Sequence, residues 1–367
     1  MVTRWNLLEP AGGAGAARSA RTGPYTCAVE ESWFRPMGLS LRVRGDRRAV
    51  LAAAEAAFGG FGPAPPGPLA APDLDFLFLV LGGDRGRGRG HGGADGEGGP
   101  PALAVRGGRM LWRWQGSALI ADRARGRAWG RFTAGLLADP VRLRLDFLEL
   151  ALQLMLPARG FLGVHGAALV RGGRAALLRA AGGAGKTTLA YAAAARGRLQ
   201  VLAEDVVWID AAHQAWWGLP WWLHPRPESR ELFPELAGRE PALRRGGTLK
   251  LAVETESIRP GSAVPRALPG PVVLVRRRPR AVASRLTSLA LAEALALWAP
   301  GSAGTEEDVP DYHGRVRRLL AGNAWQLELG GDLDGALALI EGLLAAAGTA
   351  GAGYGGRDTS QGRQGMP

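Results

Sequence analysis

The chain has 367 residues, room for two domains at roughly 100 to 200 residues each, and 47% hydrophobic against 21% charged residues is a globular balance. A single cysteine, Cys27, excludes an internal disulfide and a cysteine zinc site, and no apolar run reaches the ~18 residues of a membrane helix. The formal charge is +12, yet only Lys186 and Lys250 are lysines and the other 43 cations are arginines; with 56 glycines this reads as GC-rich coding bias and ranks nucleic-acid binding low.

No basic, apolar and small-residue signal segment opens the chain, so a cytoplasmic protein is expected. Residues 1–23 lack periodicity and read as a flexible leader. Residues 24–140 read as an N-terminal α+β domain. Its strands are predicted at Leu39–Val43 and Leu74–Leu81 around a helix at Arg48–Phe58. The tract 82–101 (GGDRGRGRGHGGADGEGGPP) is low in complexity and reads as a Gly/Arg-rich loop. A meander follows. Ala102–Arg106 and Arg109–Trp114 join through Gly107 and Gly108, and Ser117–Asp122 and Arg127–Phe132 continue it. Leu143, Phe147, Leu150 and Leu154 recur at steps of four and three, which predicts a connecting helix over 141–160. Residues 161–346 form the second domain, and the Gly-rich tail 347–367 reads as disordered.

The second domain carries the informative stretch, Leu177-Leu-Arg-Ala-Ala-Gly-Gly-Ala-Gly-Lys-Thr-Thr-Leu. An apolar strand enters a glycine cluster and leaves as a helix. Gly182, Gly183 and Gly185, with Ala184 between them, let backbone N–H groups turn inward around phosphates at a positive helix terminus. Lys186 would reach the β- and γ-phosphates and the Thr187 hydroxyl would hold Mg²⁺, while Thr188 continues the helix. The match to G-x-x-x-x-G-K-[ST] departs at its first glycine, which is Ala180; alanine fits there if its φ is negative.

Upstream, Gly163–Leu178 reads as a hairpin turning at Gly172-Gly173, with His165 at its start. Downstream, a strand over Leu199–Ala203 runs into Glu204-Asp205 and a second apolar run, Val206–Asp210. Adjacent carboxylates there can divide two tasks, holding Mg²⁺ and accepting a proton from an attacking hydroxyl. Lys250, Arg226 and Arg230 are candidate charge-neutralising cations, with a surface strand lysine the plainer expectation for Lys250. Trp216, Trp217, Trp221 and Trp222 read first as residues packed against their own domain.

The run His165-Gly, Gly182-Gly-Ala-Gly-Lys-Thr-Thr and Leu202-Ala-Glu-Asp-Val-Val resembles the catalytic core of HPr kinase/phosphorylase and, more closely, the short HPr-kinase-like proteins of bacteria. The resemblance implies an α/β fold, a P-loop NTPase of the HPr kinase/phosphoenolpyruvate carboxykinase-like type, here preceded by a smaller α+β domain. It assigns catalytic roles to His165, Lys186, Glu204 and Asp205 and metal binding to Thr187 and Asp205. It also implies ATP and Mg²⁺, a peptide or small-protein acceptor, and a homo-oligomer. Glu204 stands where that family has an aspartate, and the loop that binds the protein HPr is missing. The implied function is transfer of the γ-phosphoryl group to a hydroxyl, of a Ser in a peptide or small protein or of a small metabolite. Its rivals are a non-catalytic nucleotide-binding regulatory module and a basic nucleic-acid-binding protein.

Overall fold

The computed structural model describes residues 28–62, 71–80, 101–106, 108–244, 247–298 and 309–351. The leader 1–23, nearly all of the Gly/Arg-rich tract, Gly107 and most of the tail fall outside the described residues.

The N-terminal part is one seven-stranded sheet. It contains β1 (Glu30–Phe34), β2 (Leu41–Gly45), β3 (Leu74–Val80), β4 (Ala102–Arg106), β5 (Arg109–Trp114), β6 (Ser117–Asp122) and β7 (Arg127–Phe132) in the order β1-β2-β3-β7-β6-β5-β4. Strands β2 and β3 are parallel and are joined by the helix Arg48–Phe58, which buries Val50, Ala53, Ala54, Ala57 and Phe58. Alternation in β2 and β3 turns Leu41, Val43, Leu74, Phe76 and Phe78 inward. The outer sides of β2 and β3 carry Arg42 and Arg44, which share Asp75 at 2.8 and 3.0 Å.

From Pro140 to Arg159 the backbone stays helical but changes pitch, with a π-helical segment at Leu143–Glu149 between α-helical turns. Leu143, Phe147, Leu150 and Leu154 face the N-terminal core as their spacing predicts. That core also takes in Phe161 and Trp208 from the second half of the chain, so apolar packing runs from one half into the other.

The second half stacks two sheets. The six-stranded sheet has the order β11-β9-β10-β19-β21-β20, from β9 (Ala167–Arg171), β10 (Arg174–Arg179), β11 (Gln200–Ala203), β19 (Val272–Arg277), β20 (Arg285–Ser288) and β21 (Ala324–Leu329). Strands β10, β19 and β21 are parallel. The four-stranded sheet is β18-β13-β12-β8, from β8 (Leu162–His165), β12 (Val206–Asp210), β13 (Ala215–Trp217) and β18 (Arg266–Ala267). Period-two alternation separates two cores. Ala167, Leu169, Ala176, Leu178, Val273 and Val275 meet the helices Lys186–Ala195 and Leu333–Gly351, whereas Ala168, Val170, Ala175, Leu177, Val272 and Leu274 meet the four-stranded sheet and the helix Tyr312–Leu320. Two small ribbons complete the strands: β14 (Trp222–Leu223) with β17 (Val253–Glu254), and β15 (Ala242–Leu243) with β16 (Leu249–Lys250). The fold is thus mixed α/β with parallel strands at the centre of its six-stranded sheet.

The chain passes twice between the stacked sheets at one corner. One passage is β8 through Gly166 into β9, the other β11 through Glu204-Asp205 into β12. The expected hairpin strand from Gly163 is therefore two strands in different sheets, broken at Gly166. A Cβ at Gly166 would lie 2.7 Å from the Leu178 carbonyl oxygen, so only glycine lets the chain turn that close to β10.

Candidate functional site

Strand β10 delivers the chain into the loop 180–185, and the helix Lys186–Ala195 leaves it. Gly183 and Gly185 adopt φ of 79° and 104°, the left-handed region that favours glycine. Gly182 has ordinary φ, and Ala184 N–H closes the turn on the Ala181 carbonyl at 3.3 Å. Among the described residues, non-glycine positive φ occurs at Met37, Gln115, Gln214 and Asp311; Ala180 is not one of them and carries its side chain without strain. The loop backbone from Ala181 to Gly183 is exposed, as a surface for an anion must be.

The first helical turn brings the reactive groups together. The buried Lys186 donates from Nζ to the carbonyls of Ala180 at 2.7 Å and Ala181 at 3.3 Å. Burial, with Arg179 and Lys250 nearby, holds its ammonium below the ordinary lysine range against the pull of Asp205 and Glu204. Thr187 Oγ1 donates to Glu204 Oε1 at 2.5 Å, and the other Glu204 oxygen meets His224 Nδ1 at 3.1 Å. Burial opposes the charge on Glu204, but the His224 hydrogen bond and Lys250 hold its pKa below the ordinary glutamate value. Burial likewise pushes His224 down. The Glu204 carboxylate, which can only accept, thus takes a hydrogen bond from the His224 ring. Thr188 follows one residue later on the helix.

Asp205 faces the other way. Its Oδ1 lies 3.1 Å from His165 Nδ1, and its side chain is 52% exposed. Its carbonyl accepts from Gly166 N–H at 2.8 Å, and the register of β8 with β12 sets His165 opposite Val206. The two carboxylates thus have different partners. Glu204, not Asp205, touches the Thr187 hydroxyl: the first carboxylate is buried and the second is half exposed.

Both carboxylates wall a cavity of about 370 Å³. Its other walls come from elements that the motifs did not mark: Asp146, Glu149 and Gln153 on the helical segment before β8, His224 after β14, and Arg244, Thr248 and Lys250 on the β15–β16 hairpin. Asp146, Glu149 and Gln153, spaced three and four apart, occupy one stripe of that segment, a signal present in the sequence. Lys250, expected on an exposed strand, instead lines the cavity. Arg226 is exposed, Arg230 donates to the Arg239 carbonyl, and neither lines the cavity. Trp216 is buried in its own domain, while Trp221 crosses to the N-terminal part, donating to the Ala57 carbonyl at 3.0 Å.

A nucleotide with Mg²⁺ fits these residues. The exposed loop and helix N-terminus suit phosphates, and one hydroxyl with one ionised carboxylate is the protein share expected for Mg²⁺, whose remaining ligands are substrate oxygens and water. Among the described residues, no cluster of three or more His, Cys, Asp or Glu side chains could hold a metal by itself, and no helix is long and apolar enough to cross a membrane.

No family model and no curated protein matches this chain. Among solved structures it is similar to an Hpr(Ser) kinase/phosphatase from Coxiella burnetii, over 52% of this chain and 93% of that one, at 13% identity and a TM-score of 0.27.

Proposed function

We propose that this protein is an ATP- and Mg²⁺-dependent phosphotransferase that moves the γ-phosphoryl group to a hydroxyl. The observation that carries the reading is the Thr187–Glu204 contact of 2.5 Å at the head of a glycine-loop helix, with Asp205 and His165 at the mouth of the adjoining cavity. Lys186 and the loop N–H groups would hold the phosphates, and Thr187 and Glu204 would hold the metal. Mg²⁺ when bound supplies charge neutralisation on the phosphate oxygens. Asp205, oriented by His165, accepts the proton of the acceptor hydroxyl as its oxygen bonds to the γ-phosphorus and the bond from that phosphorus to the β–γ bridging oxygen breaks, releasing ADP. The resemblance implies a Ser of a peptide or small protein as acceptor.

Calorimetric titration with Mg²⁺ and ATP, comparing the natural protein with Lys186→Ala, tests the phosphate site. Binding that the substitution abolishes is expected. A folded natural protein that takes up no Mg²⁺–ATP overturns the reading.

A further inference from the structure

Arg244 is 9% exposed, and its Nε and Nη2 have no hydrogen-bond partner among the described residues. Leaving donors of a buried guanidinium unsatisfied costs more than a typical hydrogen bond contributes, so their place in a cavity wall points to a ligand. The local fold sets the side chain there. In the β15–β16 hairpin Ala242 pairs with Lys250, and Arg244 N–H donates to the Thr248 carbonyl at 3.0 Å, so Ala242, Arg244, Thr248 and Lys250 share one face. Arg244, Thr248 and Lys250 line the cavity, while Leu243 and Leu249, on the other face, are 49% and 52% exposed.

This wall lies in the same cavity as Asp205 and His165, whereas Lys186 and the glycine loop are not among its lining residues. It therefore shares a chamber with the carboxylate that the phosphotransferase reading makes the base. A guanidinium with two unused donors fits a carboxylate as a fork fits two oxygens. The facing wall is acidic. Glu149 is held by Arg144 at 3.1 Å, and Asp146 acts on Arg244 itself, offsetting part of its charge, which disfavours a multiply charged anion. The volume of about 370 Å³ lies near the lower end for small-molecule sites.

Building on the phosphotransferase reading, we propose that the acceptor is a small hydroxy acid with one carboxylate, bound by Arg244 with its hydroxyl presented to Asp205. An internal serine of a peptide offers no carboxylate at that position, so this departs from the peptide acceptor. The step is otherwise the one already written: the hydroxyl proton goes to Asp205 and ADP leaves.

The test is calorimetry on the full chain with L-serine and D-glycerate, against L-serinamide, glycerol and an internal-serine tripeptide blocked at both ends. Each titration is run with and without Mg²⁺–ADP. At least one acid is expected to bind about tenfold or more tightly than its counterpart without the carboxylate, and Arg244→Gln, checked for folding by its melting curve, to remove that preference while leaving Mg²⁺–ADP affinity unchanged. Acid and amide binding alike, no binding of either acid, or equal binding of the blocked tripeptide would overturn the proposal. So would an Arg244→Gln variant that loses nucleotide and acid together, which would place Arg244 on the nucleotide. Failure of the phosphotransferase reading is separable, since it shows as absent nucleotide binding while the acid-against-amide comparison in the natural protein stays readable. If Arg244→Gln does not fold, that comparison alone decides.

Discussion

At the residue scale, the two carboxylates differ in what removing each should do. Asp205→Asn keeps size and removes the proposed base, so turnover should fall by roughly 10²- to 10⁴-fold with Mg²⁺–ATP affinity little changed; steady-state kinetics beside calorimetry checks both. Glu204→Gln removes the charge beside Thr187 and should instead weaken the Mg²⁺ dependence of nucleotide binding. His224 gives a pH dependence. Burial holds its folded pKa below the ordinary value, so the unfolded chain binds the proton more readily and stability falls as pH drops below about 6.5. Glu204, also depressed, adds stability above its unfolded pKa that is lost as pH falls through its folded one, so it acts in the same direction at lower pH. Melting curves between about pH 5 and pH 8 should therefore show an acid-side loss in the natural protein, flattened in His224→Gln. An unchanged slope in the variant would show that His224 does not titrate between the folded and unfolded states.

At the element scale, the phosphate loop depends on backbone more than on side chains. Gly185→Ala puts a Cβ 2.8 Å from Leu329 Cδ2 at φ of 104°, and should cost roughly 1 to 2 kcal/mol in a denaturant titration and lose nucleotide binding. Ala180→Gly, at a position with no left-handed requirement, should bind ATP within about threefold of the natural protein. The loop, its helix, the strand before it and the acidic turn after β11 were legible because each is written in contiguous residues. Strand β1 was not, since Glu30–Phe34 alternates too weakly and is held by the register of Trp33 with Arg42 and Phe34 with Leu41. The break at Gly166 was hidden for a related reason: Val164 and Ala167 are both apolar, and periodicity does not say that the sheet changes between them. His224 follows a strand held by the long-range pairing of β14 with β17, and Arg244 and Thr248 sit in a hairpin whose two-residue strands are too short to show a period, so no local pattern gathers them.

At the scale of the whole molecule, the halves share apolar contacts as well as a cavity. The Trp221 indole meets the Phe61 ring edge to face at 5.6 Å, and the Arg144 guanidinium lies 4.5 Å from the centre of Trp222. Trp221→Ala should lower stability by roughly 2 kcal/mol or more and split thermal unfolding into two transitions. A single transition in the variant would place the coupling elsewhere in the shared core. A chain beginning at Phe161 loses the wall carrying Asp146, Glu149 and Gln153, and should keep any nucleotide affinity far better than acceptor turnover.

The corner at which the chain crosses twice between the stacked sheets also works as a seam. Gly166 N–H and the Asp205 carbonyl join the two crossings at 2.8 Å, next to His165 and both carboxylates. His165 ends the strand of one crossing, and Glu204 and Asp205 form the other. The backbone that ties the two sheets together is therefore the same backbone that carries the candidate site, and a substitution that loosens the seam disturbs the site with it.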